Sequence, residues 1–462
     1  LSGTGEQRYA FATLSILAWD TLQQCPDPDM ALNNWERFAA QMPSATDHFK
    51  RLLQQPKRLE VLVSILAGSQ FLADTLIRNP DFFDYVTDPT LVGVTRTRRQ
   101  LKAEIDQLTV AAADHAERLR LTRIFRRREI LRIGTRDICL HAELADVCRD
   151  LSNLADTLLN FLLDAIWHER PPAERSRSKD FVILAFGKLG GRELNYSSDI
   201  DLLGLYRTDG TDPEKHSDRE ERLFSKIMQR LRADLSDFTA DGYLYRVDLR
   251  LRPFGNSGPL VYRQETLLRY YRSSAGLWEH QALLKLRPVA GERELGWAFL
   301  REVRPLMAKA GLSEKLAENI RFMRETSISE LSPQEWNIKS GIGGIRDIEF
   351  CVQFLQMRAL ESDDAFHNGN TLQAIELLAG KGLLTQNQAA TLARHYDFLR
   401  RIEHLLQVLH DRQVHTLPTE GAERDALALR ASDQIGTGET LSSYIQHITE
   451  EVHSIYELIL AE

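Results

Sequence analysis

At 462 residues the chain is longer than one compact core sustains, and the usual domain size of ~100–200 residues predicts about three units. Hydrophobic residues at 43% and charged residues at 27% exclude a disordered or fibrous chain. A formal charge of −8 argues against the blanket basic surface that drives sequence-independent nucleic-acid binding, and Cys25, Cys139, Cys148 and Cys351, which lack C-x-x-C spacing, argue against a zinc site or a disulfide framework.

Residues 1–170 are expected to form a helical domain. Apolar residues recur every three or four positions in "RLEVLVSILAGSQFLADTLI" and "LADVCRDLSNLADTLLNFLLDAIW". The most apolar run, "LLNFLLDAIW", falls short of the ~18 residues a spanning helix needs. With no signal-peptide pattern at the N-terminus and reduced thiols, the expected address is the cytoplasm, with neither membrane nor nucleic acid as a partner. "RIFRRREILRIGTRD" sets Arg123, Arg126, Arg127, Arg128, Arg132 and Arg136 on a helix. A solvated, salt-bridged face is the expectation, and a docking or nucleotide-binding surface the alternative. "HERPPAERSRSKD", residues 168–180, reads as a linker.

From 171 to 310 the pattern changes to short β-branched or alternating runs. "FVILAFG", "DIDLLGLY", "YLYRVDLRLRP" and "GPLVYR" predict strands around one helix near "RLFSKIMQRLRADLSDF". From 311 to 462 helices return, in "IRDIEFCVQFLQMRAL", "NQAATLARHYDFLRRIEHLLQVLHDRQ" and the last residues near "LSSYIQHITEEVHSIYELILAE". The predicted fold is therefore α+β and predominantly α-helical: a mixed sheet flanked by N-terminal and C-terminal helical domains.

The informative stretch is "FGKLGGRELNYSSDIDLLGLY". It does not fit G-x-x-x-x-G-K-[ST], and the few residues between Gly191 and Asp199 are too few for the crossover helix of a dinucleotide-binding turn. A nucleotidyltransferase reading fits better. A strand delivers a glycine turn, Gly187, Lys188, Gly190 and Gly191, whose N–H groups approach phosphate oxygens. Ser197 and Ser198 follow, and the next strand projects Asp199 and Asp201 to one side while Ile200 and Leu202 pack on the other. Two carboxylates on one face suit Mg²⁺, which takes oxygen ligands and substrate phosphate. "RVDLRLRP" supplies a third carboxylate, Asp248, alternating with Arg246, Arg250 and Arg252, guanidinium groups suited to triphosphate.

These residues resemble the bacterial glutamine synthetase adenylyltransferases, also called adenylyl-transferring and adenylyl-removing enzymes. The matching segments are "FGKLGGRELNYSSDIDLL", "DGYLYRVDLRLRPFGNSGPLV", "WEHQALLKLRPVAG" and "NIKSGIGGIRDIEFCVQ", with "RIFRRREILRI" upstream. Members of that family usually carry two related catalytic units, one attaching AMP to a tyrosine of glutamine synthetase from ATP and one removing it by phosphorolysis to give ADP. A single "GKLGG" with one D-x-D after it makes this chain one unit. "ELNYSSDID" and "GGIRDIEF" look more like the adenylyl-removing one. The resemblance implies Asp199, Asp201 and Asp248 as ligands to Mg²⁺. It places Gly187, Lys188, Gly190, Gly191 and Ser198 around the phosphates, and Ser197, Arg246, Arg250, Lys285 and Lys339 are further candidates for phosphate or nucleotide contact. The implied partners are adenylylated glutamine synthetase, inorganic phosphate, an adenine nucleotide and, as a further candidate, a PII signal protein. A transferring unit, a non-catalytic regulatory module and an RNA nucleotidyltransferase stay open as alternatives.

Three other features have two readings. Lys339, Gly341, Gly343 and Gly344 precede a helix whose first turns hold Asp347 and Glu349, which serves anion binding or capping equally well. Trp278, Glu279, Lys285 and Arg287 follow the predicted sheet and are candidates for nucleotide contact or for helix-surface pairing. His410-Asp411 in "HDRQVH" echoes a metal signature but lacks further spaced ligands.

Overall fold

The computed structural model describes residues 4–208, 213–332, 335–432, 435 and 439–461. One five-stranded mixed sheet lies at its centre, formed by β1 Phe181–Ala185, β2 Ile200–Tyr206, β3 Val247–Asp248, β4 Val261–Arg263 and β5 Arg287–Gly291. The order is β3-β2-β1-β5, and β4 pairs with the far end of β2. β1 runs antiparallel to both β2 and β5, whereas β3 and β4 run parallel to β2. Among the described residues every other regular element is helical, as the sequence predicts.

The side-chain alternation of β1 explains the layering. Phe181, Ile183 and Ala185 pack into the core shared with the N-terminal helices, while Val182 and Leu184 pack into the core of the C-terminal helices. A strand buried on both faces reads as a continuous apolar run, and "FVILA" is one. At roughly 1.5–3 kcal/mol per fully buried large side chain, this strand is the seam that joins the two halves. Helix Leu144–His168 lies against β5 from one side, and helix Arg293–Gly311 against β1 and β5 from the other. Helix Gln386–His410 crosses back to the N-terminal bundle, where the Ser69 hydroxyl donates to the Val408 carbonyl at 2.5 Å. Among the described residues no helix is long and apolar enough to cross a membrane.

Four expectations need correction. The stretch predicted as a linker is a helical turn, Pro172–Arg175, followed by a 3-10 turn, Ser176–Asp180. Asp180, 2% exposed, accepts from Arg207 at 3.0 Å and ties the segment to the end of β2. The arginine-rich helix is not a solvated face, for Arg123, Arg126, Arg132 and Arg136 are buried. Arg132 pairs with Glu129 at 3.0 Å and Asp150 at 3.2 Å, Arg136 pairs with Asp150 at 3.0 Å, and the Arg126 guanidinium stands 4.8 Å over the Tyr245 ring. The long strand predicted from "YLYRVDLRLRP" shrinks to two residues. β5 was not expected, because Arg287 and Pro288 mask it; an edge position tolerates the proline.

Candidate active site

β1 ends at Ala185, and Gly187 turns the chain into a single helical turn, Gly187–Gly190. Gly187 has φ +56°, and a Cβ there would lie 2.6 Å from Asp201 Oδ2. Both the left-handed backbone and the closeness of the carboxylate demand glycine. The N–H groups of Gly187 and Lys188 donate to no backbone carbonyl among the described residues, so the mouth of the turn keeps donors available.

The three carboxylates line one cleft at the edge of the sheet. Asp201 stands in register with Asp248 across the parallel β2–β3 pair, and Asp199 lies one residue before β2. Together with Gly187, Lys188, Ser198, Arg250, Lys339 and others they line a cleft of about 390 Å³. Burial, with the charges of Asp248 and Asp199 adding to it, pushes the Asp201 carboxyl up to about 7. Burial also raises Asp248, but the side-chain and backbone hydrogen bonds and charge of Arg250 outweigh it and hold that carboxyl below its ordinary value. Arg250 donates from Nη2 to Asp248 Oδ2 at 2.6 Å, and Arg246 Nε donates to Asp199 Oδ1 at 2.6 Å. The Asp201 side chain has no such partner among the described residues.

Oxygen donors of this kind fit Mg²⁺. In the arrangement seen, Asp199 and Asp248 are turned onto guanidinium groups, and among the described residues no three acidic, histidine or cysteine side chains converge as a ready ligand set. Asp201, half-buried and without a counter-charge in contact among the described residues, is the group a cation would relieve.

Other candidates separate into those at the cleft and those beneath or behind it. The Lys188 ammonium reaches down to Glu403 at 2.7 Å, and burial lowers it to about 8. Lys285 is held by Glu193 and Glu349, each at 2.7 Å. Lys339 lines the cleft and makes no ion pair among the described residues. Ser198 lines it too, its hydroxyl accepting from Asn195 N at 3.4 Å. Ser197 is 3% exposed and is spent on structure, its carbonyl accepting from Arg246 at 2.5 Å.

Gly190 and Gly191 are not phosphate donors: their N–H groups donate to Phe186 and Gly187 carbonyls at 3.0 Å. They are glycine because a Cβ would sit 1.8 Å from the Lys285 carbonyl oxygen or 2.4 Å from that of Gly369. Arg252 is likewise not at the cleft. It is buried and donates to the Leu249 carbonyl at 2.5 Å, closing the turn after β3.

Capping accounts for Asp347, which accepts from Gly343 N at 2.7 Å and pairs with Arg324 at 2.8 Å, whereas Glu349 faces the cleft. Glu279 caps Gly276 and Arg287 pairs with Asp156 at 2.8 Å, so of those four candidates Lys285 alone lines the cleft. His410 lies outside the residues whose side chains are described. Asp411 ends the Gln386–His410 helix in a left-handed conformation, φ 50°.

Sequence reasoning missed the floor of the site. Glu403, fully buried, accepts from Lys188 and from Asn195 Nδ2 at 2.7 Å and pairs with Arg400 at 3.1 Å and His415 at 2.9 Å. Arg400 in turn donates to the Glu193 carbonyl at 2.7 Å and to the Asn195 side chain. Its one sequence trace was charge inside "YDFLRRIEHLL", an otherwise apolar helix face. Gln353 and Gln413 also line the cleft and carried no signal at all.

This geometry can be set beside known proteins. The family model for glutamate-ammonia ligase adenylyltransferase matches residues 59–302, and the model for PII-uridylyltransferase matches residues 288–460. Among curated proteins, a bifunctional glutamine synthetase adenylyltransferase/adenylyl-removing enzyme of Thioalkalivibrio sulfidiphilus is 34% identical over 95% of this chain and 45% of its own length. The protein of the same name from Streptomyces coelicolor is 32% identical over 87% of this chain and 40% of its own length. That from Pseudomonas aeruginosa is 34% identical over 80% and 39%. The chain thus spans less than half the length of these relatives. With a family model matching more than half of its residues, the chain belongs to the glutamate-ammonia ligase adenylyltransferase family.

Proposed function

We propose that this chain is the adenylyl-removing unit of such an enzyme, taking AMP from a tyrosine of glutamine synthetase by phosphorolysis and releasing ADP. The observation that carries the reading is Asp201 facing Asp248 across β2 and β3, directly over the left-handed turn at Gly187. "ELNYSSDID" and "GGIRDIEF" support the removing direction over the transferring one.

In this reading Asp199, Asp201 and Asp248 would hold Mg²⁺, which would supply charge neutralisation at the phosphoryl oxygens, and Asp199 and Asp248 would have to leave Arg246 and Arg250 to do so. The Gly187 and Lys188 N–H groups and the Lys339 and Arg250 side chains receive the phosphate oxygens. An oxygen of inorganic hydrogen phosphate forms a bond to the adenylyl phosphorus, the bond to the tyrosine oxygen breaks, and the proton of the hydrogen phosphate ends on the tyrosine oxygen. The protein positions and neutralises, and no side-chain nucleophile takes part. The helical flanks dock glutamine synthetase and, in regulation, a PII signal protein.

The test is direct. Adenylylated glutamine synthetase, inorganic phosphate, Mg²⁺ and this chain are mixed, and nucleotides are separated. ADP, together with unmodified synthetase, is expected. Pyrophosphate formed from ATP and unmodified synthetase, without ADP in the first mixture, would reverse the assigned direction. Silence in both mixtures would favour a regulatory module.

A further inference from the structure

Behind the glycine turn, on the side away from the carboxylates, lies a second cavity of about 460 Å³. It is bounded by the backs of Gly190 and Gly191, by Arg192, by Trp297 on helix Arg293–Gly311, and by the loop around Gly369. Its lining carries five cationic side chains, Arg149, Arg192, Lys285, Arg287 and Arg304, against two carboxylates, Asp364 and Glu376. Its size lies within the range of small-molecule sites, and its lining combines one guanidinium without an acidic partner among the described residues with an aromatic ring.

Arg192 is the residue that asks for a ligand. It is exposed and holds a left-handed backbone, φ 58°, which is uncommon for a side chain of its size. It makes no ion pair or side-chain hydrogen bond among the described residues, whereas Arg149 pairs with Asp146 at 2.6 Å and Arg304 with Asp364. Nearby, Arg287 and Arg98 share one carboxylate, Asp156, at 2.8 and 3.2 Å, and Arg293 is spent on the Val289 carbonyl at 3.0 Å. Partial desolvation of its head group, then the neighbouring charge of Arg287, lowers the Arg192 guanidinium; Asp156 opposes the effect without touching it, and Arg98 and Arg293 add to it. A guanidinium with no acid in contact is matched by a phosphate group, which accepts two parallel N–H bonds. The Trp297 indole, 42% exposed, offers the cavity an aromatic surface on which a base can lie.

We propose that this cavity is a second, non-catalytic binding site for a nucleoside phosphate, with Arg192 on the phosphate and Trp297 against the base. None of the three carboxylates lines it, and Lys285, held by Glu193 and Glu349, is the residue it shares with the carboxylate cleft among the lining residues. It touches the turn from behind: Arg287 Nη2 donates to the Leu189 carbonyl at 2.8 Å and Arg287 Nε to that of Gly190 at 3.1 Å.

The proposal is tested by tryptophan fluorescence in EDTA, titrating the intact chain with ADP, inorganic pyrophosphate or adenosine. Saturable quenching by ADP is expected in the wild type and in Asp201→Asn. It should weaken at least tenfold in Arg192→Ser and vanish in Trp297→Phe, with circular dichroism unchanged in both. Quenching that survives Trp297→Phe or Arg192→Ser, or that is lost in Asp201→Asn, overturns the proposal. So does the absence of any saturable ADP response. The other two probes sort the chemistry. If pyrophosphate displaces ADP while adenosine does not, the phosphate is the anchor, as proposed; the reverse pattern refutes the role given to Arg192.

Discussion

Asp201→Asn should stabilise the metal-free protein while abolishing its chemistry. The Asp201 carboxyl is raised from 3.8 to about 7, first by burial and then by Asp248 and Asp199. A carboxyl raised in the folded state binds its proton more tightly there than when unfolded. Ionising it therefore costs stability, fully above about pH 7, and the cost disappears as pH falls toward 3.8. The shift of about three units corresponds to a penalty of ~4 kcal/mol at pH 8 and ~1.5 kcal/mol at pH 5, at 1.36 kcal/mol per unit. An amide avoids the ionisation and loses no hydrogen bond that Asp201 makes with the described residues. Urea denaturation in EDTA at pH 8 should show a higher midpoint for the variant with an unchanged slope, and the advantage should shrink by more than half at pH 5. A variant no more stable than wild type at pH 8, or one equally stabilised at both pH values, would refute the claim that charge crowding at this position is the source.

Mg²⁺ at millimolar concentration should raise the Tm of the wild type at pH 8 by several degrees and leave an Asp201→Asn/Asp248→Asn double variant unmoved, since an ion stabilises only the state that binds it; calorimetry reads both. Gly187→Ala forces a side chain into a left-handed turn and against the Asp201 carboxylate, and should cost about 1–3 kcal/mol in urea and nearly all turnover. Lys188→Met leaves buried Glu403 short of one of its cations; a loss of about 1–3 kcal/mol is expected, partly recovered when Glu403→Gln is added, which a double-mutant cycle measures. Arg250 and Arg252 should part company: Arg252→Ala opens the turn after β3 and lowers stability by about 2–3 kcal/mol, while Arg250→Ala, at a largely exposed side chain, leaves Tm unchanged and lowers turnover.

The local pattern of the sequence was enough to identify the sheet's inner strands and the carboxylates they carry. "FVILA" and "DIDLLGLY" have the period and the β-branched or apolar content of buried strands, and in a strand Asp199 and Asp201 must share a face. Asp248 was legible for the same reason, since its alternation with Val247 survives in the two residues that pair with β2. Family likeness was readable from the same segments. Other features depended on partners far away in the chain. Gly190 and Gly191 look like phosphate-binding glycines in isolation, yet what they accommodate is backbone at Lys285 and Gly369, which no local pattern announces. The arginines of 123–136 read as a solvated face because their acids, such as Asp150, lie on another helix, and only packing reveals that the charges are paired and buried. The floor of the site, Glu403 under Lys188, joins residues 215 positions apart. Periodicity reports what a side chain's own element requires of it; whether a charge meets water, a counter-charge or a substrate is decided by which elements the cores bring together.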